Sequence, residues 1–200
     1  MPTLIIDGHP NPDSLCAALT AAYHRGNPDA ELVSVRDLHF NPVLTRGLTA
    51  PQELEPDLAE LRTQIEAATH LAIITPTWWA SLPPDLKGVF DRVFTPGWAY
   101  RYNPMPLGLP GGAPEGLLTG RSARVLITSD TPRFLLAANG NHAARVLKNH
   151  ILGFCGIKPV QVTRMGAVRW STAQQRQQWL ANAESLGARD ARRHRAAVAV

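Results

Sequence analysis

Cysteine is nearly absent. The two that occur, Cys16 and Cys155, lie far apart and outside any CxxC spacing, so neither a disulfide framework nor a zinc site is suggested, and a reducing compartment fits. No apolar run is long enough to span a bilayer, and Met1 to Asp7 has neither the charged start nor the cleavable apolar stretch of a secretory leader. These absences predict a soluble, cytoplasmic protein. A Walker glycine-lysine loop and a GxGxxG fingerprint are also missing, which argues against nucleoside-triphosphate hydrolysis and ordinary Rossmann dinucleotide binding. With no repeat, low-complexity tract or linker, 200 residues at 44% hydrophobic read as one α/β domain over residues 1–200.

Charge of one sign is scarce too. Twenty basic against sixteen acidic residues leave a net charge of +4, and the terminal cluster of Arg189, Arg192, Arg193 and Arg195 has no aromatics between its cations. It reads as a solvated helix end rather than a nucleic-acid arm, which needs basic side chains interleaved with stacking rings.

What is present is an alternation of strand-like and helix-like segments. Strands are predicted at Thr3–Ile6, Glu31–Val35, His70–Thr75, Arg124–Thr128 and Lys158–Thr163. Helical spacing of apolar residues follows from about Ser14, over Gln52–Ala68, over Asp85–Phe94 and from about Ala138 to Leu152. A last helix opens at Ser171-Thr172-Ala173-Gln174, a capping-box pattern. Five such units predict a doubly wound, five-stranded parallel sheet of order 2-1-3-4-5 with helices on both faces and a ligand crevice at the carboxyl ends of the first and third strands. Asn41 to Pro51 and the Pro- and Gly-rich stretch Thr95 to Gly120 read as loops, the second too apolar for a mere linker.

Three segments end at that crevice. Gly8-His9-Pro10-Asn11-Pro12-Asp13-Ser14-Leu15-Cys16 leads from the first strand into a helix capped by Asp13 or Ser14; the N–H groups of Ser14, Leu15 and Cys16, the Ser14 hydroxyl and His9 can cradle a phosphate. Ser14 as a plain cap and His9 as a surface residue are the competing reading. Pro76-Thr77-Trp78-Trp79 follows the third strand, where the N–H groups of Thr77, Trp78 and Trp79 face the crevice and the indoles suit a flat ring, core packing being the alternative. Ser129-Asp130-Thr131 follows the fourth strand and reads either as a ligand contact or as an ordinary turn and cap. Tyr100 and Tyr102 can sandwich an aromatic acceptor or serve as dimer contacts, while Asp130 and His142 are the only other candidate proton donors and, as isolated residues, are more often structural than catalytic.

Together the Gly8-His9-Pro10 loop, Pro76-Thr77-Trp78-Trp79, Leu86 to Phe94, Ala99-Tyr100-Arg101-Tyr102 and Leu152-Gly153-Phe154-Cys155-Gly156 resemble the NAD(P)H:quinone oxidoreductase family of flavodoxin-like flavoproteins, in its small bacterial branch. The resemblance implies a flavodoxin-like fold, non-covalent FMN with FAD as the alternative, a homodimer with sites at the subunit interface, and ping-pong hydride transfer from NAD(P)H to a quinone or similar acceptor. It places the flavin phosphate region at His9, Ser14, Leu15 and Cys16, the ring at Pro76, Thr77, Trp78 and Trp79, and the acceptor at Tyr100 and Tyr102. Many members carry Thr-Thr-Gly-Gly after the fourth strand; here Ser129-Asp130-Thr131-Pro132 stands in its place, resembling an Asp-Thr-Pro turn of small bacterial members, and carries the ring contact. No catalytic residue, general acid or metal ligand is nominated. Two other roles stay open: a one-electron flavodoxin-type carrier, which the positive charge disfavours, and a regulatory flavoprotein subunit of a membrane transporter.

Overall fold

Strands β1 (Thr3–Asp7) and β3 (His70–Pro76) are buried along their whole length and pair in parallel from Thr3↔His70 to Asp7↔Ile74. In the computed structural model, which describes residues 2–48, 50, 52–105, 107, 111–132, 134–135 and 142–196, β2 (Glu31–Ser34) flanks β1 at one edge, and β6 (Ser122–Thr128) and β7 (Val160–Met165) continue from β3, giving the order β2-β1-β3-β6-β7. Numbered among themselves, these five strands follow the expected order 2-1-3-4-5. The expected helix start at Ala138, and Pro106, Gly108 and Pro110 of the long loop, lie outside the described residues.

Successive side chains of a strand point to opposite faces, so each central strand feeds two cores. Leu4, Ile6, Leu71, Ile73, Val125 and Ile127 pack under α2 (Pro56–Ala67) and α3 (Pro84–Val93). Ile5, Ala72, Ile74 and Leu126 pack under α1 (Leu15–Gly26) and the terminal helix, Ala173–Ala196. Between them, a short helix α4 (His142–Arg145) runs into π-helical turns at Val146–Leu152; the terminal helix is α5. Helices α1 and α5 cross at two glycines: a Cβ on Gly26 would lie 2.0 Å from the Glu184 carbonyl oxygen, and one on Gly187 2.1 Å from that of Tyr23.

Three expectations are corrected. Thr95–Gly120 is not irregular throughout: β4 (Tyr100–Pro104) and β5 (Gly112–Gly116) form an antiparallel two-stranded ribbon, with Arg101 and Asn103 bonded to Glu115. Pro104 and Pro114 are tolerated because neither strand is flanked on both sides. No capping box closes on Ser171, and the N-cap is one residue later: Ser171 Oγ is engaged with the Val168 carbonyl at 2.6 Å, Thr172 Oγ1 accepts from the Gln175 N–H at 3.1 Å, and the Gln175 side chain turns instead to Gln178. The last strand begins at Val160, since Pro159 has no N–H and the Lys158 N–H donates to Arg121.

At the amino ends of the strands, Asp190 on α5 is buried against Arg124, Tyr23 and His70; Arg124 Nη2 reaches Oδ1 at 2.8 Å and the Tyr23 hydroxyl Oδ2 at 2.7 Å. Burial opposes its ionisation, but the hydrogen bonds from Arg124, His70 and Tyr23 prevail and hold the carboxyl well below the usual carboxylate range. A depressed carboxylate contributes stability at neutral pH that is lost as pH falls through the folded-state value. Asp190→Asn should cost about 3–5 kcal/mol at pH 7, because it strands a buried guanidinium. In urea melts run at stepped pH, the gap to the natural chain should narrow below the ordinary Asp value of 3.8.

Candidate functional site

A cavity of about 490 Å³ opens at the carboxyl ends of β1, β3 and β6, and His9, Leu15, Cys16, Pro76, Thr77, Trp78, Trp79, Ser129, Asp130 and Thr131 all line it. Ser14 stands beside it as the cap of α1, lining instead a shallow groove between α1 and β2. Tyr100 and Tyr102 are not brought there. Tyr100 is buried edge-on against Phe154 at 4.9 Å, and Tyr102, 60% exposed, projects from the ribbon.

The loop after β1 is shaped by its own side chains. Ser14 Oγ accepts from the Ala17 N–H at 3.1 Å, leaving its hydroxyl proton free to donate. The N–H groups of Leu15 and Cys16 have no hydrogen-bond partner among the described residues, as the first turn of a helix requires unless a ligand or water supplies one. Nδ1 of His9 accepts from the Asn11 N–H at 2.9 Å, which puts the ring proton on Nε2 when the ring is neutral. Burial lowers the His9 pKa, Asp7 pulling it back up and Arg36 down, so the neutral ring prevails at pH 7.

The loop after β3 departs from expectation at its backbone. The Thr77 N–H is taken by the Thr128 carbonyl at 2.7 Å and the Trp78 N–H by the Ser81 carbonyl at 3.0 Å. Trp78 and Ser81 close a two-residue turn, which claims the amide that an open loop would have turned to the crevice. The amides left without a partner are those of Trp79 and Ala80. Both have positive φ, +50° and +58°, the geometry of a type I′ turn that usually takes Asn-Gly. Thr77 lines the cavity, and its buried hydroxyl has no hydrogen-bond partner among the described residues. Trp78 meets His9 edge-on at 5.7 Å and Trp79 is fully exposed, so neither indole is core.

The loop after β6 forms the turn that one reading expected, and its residues line the cavity. Ser129 Oγ accepts from the Thr131 N–H and Asp130 Oδ1 from the Arg169 N–H, tying this loop to the turn at Val168–Trp170, while all three residues still face the cavity. The Cys16 thiol, 3.3 Å from the Thr128 hydroxyl, is pushed up to about 12 by burial and stays protonated. Thr128, Ala80, Val168 and His142 complete the lining. Ala80 and Val168 were not nominated from sequence, where small and apolar residues carry no chemical signal, whereas Thr128 opens the loop whose hydroxyls were read as candidate ligand contacts. Asp7 and Arg36, which hold the His9 loop from behind, were also missed; an aspartate closing an otherwise apolar strand was the available clue.

The flavodoxin-like fold family matches residues 1–187, and the chain belongs to it. A relative from Azospirillum brasilense, named FMN-dependent NADH:quinone oxidoreductase, is 33% identical over 189 residues, covering 84% of this chain and 87% of that one. An uncharacterized NAD(P)H oxidoreductase of Escherichia coli, YcaK, is 31% identical over 105 residues, 48% of this chain; the match spans only about half, 54%, of the relative's length. Among solved structures, the NAD(P)H:quinone oxidoreductase from Methanothermobacter marburgensis superposes with a TM-score of 0.76 at 25% identity, over 94% of this chain and 96% of that one.

The positive φ of Ala80 carries a measurable cost. Ala80→Gly should stabilise the chain by about 0.5–1 kcal/mol, because a left-handed residue with a Cβ costs more than the entropy glycine adds. Thermal unfolding reads the change; an unchanged or lower midpoint would contradict the strain.

Proposed function

We propose that the chain is an FMN-dependent oxidoreductase that passes hydride from NAD(P)H to a quinone or similar small acceptor, one substrate leaving before the other enters. The observation that carries this reading is the donor set of the cavity. It offers unclaimed N–H groups at Leu15, Cys16, Trp79 and Ala80, an unpartnered buried hydroxyl at Thr77, and no Lys or Arg among its described lining residues. Such a wall fits a neutral, carbonyl-edged ring at one end and an anion at a helix start at the other. The names of the Azospirillum and Methanothermobacter relatives agree with it.

Bound flavin supplies the hydride-accepting and hydride-donating atom. The residues divide the remaining work. Ser14, Leu15, Cys16 and the Nε2–H of His9 hold the phosphate; Pro76, Thr77, Trp78 and Trp79 position the ring; Ser129, Asp130 and Thr131 close its far side. The N–H and hydroxyl donors of this wall raise the preference for a ring that gains negative charge on reduction, with no Lys or Arg among the described lining residues to trap it. Tyr100 and Tyr102 line no part of their own chain's cavity, and a homodimer in which a second copy presents the exposed Tyr102 accounts for their proposed acceptor contact. Cytoplasmic residence is proposed with it, supported by two free, buried thiols; no described helix is long and apolar enough to cross a membrane.

Flavin-stripped chain should quench FMN fluorescence on titration, be bleached by NADH or NADPH without oxygen, and recover its colour when a soluble naphthoquinone is added. Failure to take up FMN, or accumulation of one-electron-reduced flavin during stepwise reduction, would remove the reading, the latter in favour of a one-electron carrier. Thr77→Val gives effects of opposite sign. It should stabilise the flavin-free chain by removing an unsatisfied buried hydroxyl, and weaken FMN binding by about 0.5–1.5 kcal/mol, the net worth of one hydrogen bond. Thermal unfolding with and without FMN measures both.

A further inference from the structure

Behind the phosphate cradle lies a buried charge that works against an anion. Asp7, the last residue of β1, is 1% exposed, and its Oδ1 accepts from the His9 N–H at 3.2 Å. Its field reaches the cavity wall. After burial it is the largest influence on the His9 ring, and it adds to burial in raising the Cys16 thiol, against the Thr128 hydrogen bond. Left alone, this carboxylate would repel a phosphate seated on the first turn of α1.

Arg36, just beyond β2, meets it. Nη1 donates to Asp7 Oδ2 at 2.6 Å and to the His9 carbonyl at 3.1 Å, and Nη2 to Ser34 Oγ at 3.0 Å. Among the described residues lining the cavity and the groove beside it, Arg36 is the one guanidinium, and no lysine is present. Its position behind the loop leaves it engaged with protein acceptors, so its effect on an anion passes through Asp7 and the His9 backbone.

We propose that Arg36 is a positioning residue for the phosphate end of the site: it cancels the Asp7 charge and pins the His9 carbonyl, so the loop's donors meet the phosphate without a carboxylate opposing them. This rests on the flavin reading above and sharpens it, because it assigns cofactor selectivity to a salt bridge that touches no cofactor. The ring end is unaffected. Riboflavin, which has the ring and ribityl chain and lacks the phosphate, is therefore the control ligand.

The test is a set of fluorescence titrations of flavin-stripped full-length chain with FMN and with riboflavin, using the natural protein, Arg36→Met, Asp7→Asn and the double variant. Arg36→Met should lose at least about tenfold in FMN affinity, the factor that about 1.4 kcal/mol of repulsion produces, while riboflavin shifts about twofold or less. Added salt should shrink the FMN loss. The double variant should return FMN affinity to within about threefold of the natural chain, since no buried charge is left unpaired. Equal weakening of FMN and riboflavin by Arg36→Met, or no recovery in the double variant, would overturn the proposal. If Arg36→Met does not fold, the decisive comparison is Asp7→Asn against the double variant: matching FMN affinities support the proposal, and a weaker double variant overturns it. A natural chain that takes up neither flavin would instead sink the flavin reading itself.

Discussion

Strands β1 and β3 lie side by side, and the chain leaves them toward opposite faces of the sheet, α1 to one side and α3 to the other. Strand order reverses at this pair, with β2 on one side and β6 on the other, and because both crossovers are right-handed their helices must cover opposite faces. The two departing loops cannot touch, so a gap opens above the central pair. The other features of the site follow from that gap: the helix start aims its free amides across it, the turn after β3 forms its opposite lip, and the loop after β6 closes the side. The walls hold because the strands beneath are buried on both faces and cannot slide without exposing one core or the other.

Two polar clusters lie at opposite ends of the central strands. At the amino ends, Asp190, Arg124, Tyr23 and His70 consume one another's bonding capacity and tie α1 and α5 to the sheet. At the carboxyl ends, the Thr77 hydroxyl and several amides are left without partners. A satisfied network rigidifies; unsatisfied donors await a ligand.

Much of this was legible in the sequence because burial on two faces writes itself as continuous apolar runs. His70–Thr75 could hardly be anything but a central strand, and the placement of three loops at one end followed from topology. Ten of the eleven nominated cofactor residues line one cavity for that reason. The ribbon β4–β5 was hidden because its strands are rich in proline and glycine, residues that favour turns, and the Arg101–Glu115 pair that links them is one that no periodicity reveals. The Trp78 amide was misassigned since a two-residue turn built on Trp79 and Ala80 contradicts local preference, and that of Thr77 because the β3–β6 ladder continues one residue further, to the Thr128 carbonyl. Arg36 and Asp7, 29 positions apart, are joined only once β2 lies against β1.

The buried thiol of Cys16 has a bearing on chemical durability. Quinones are electrophiles as well as oxidants, and a thiolate in the wall of a quinone-reducing chamber would be arylated during turnover. Here the sulfur is protonated far above neutral pH, 1% exposed and in contact with the Thr128 hydroxyl. Only the deprotonated form adds rapidly to such carbons. In the proposed quinone reductase, this wall thiol would therefore resist arylation by the acceptor.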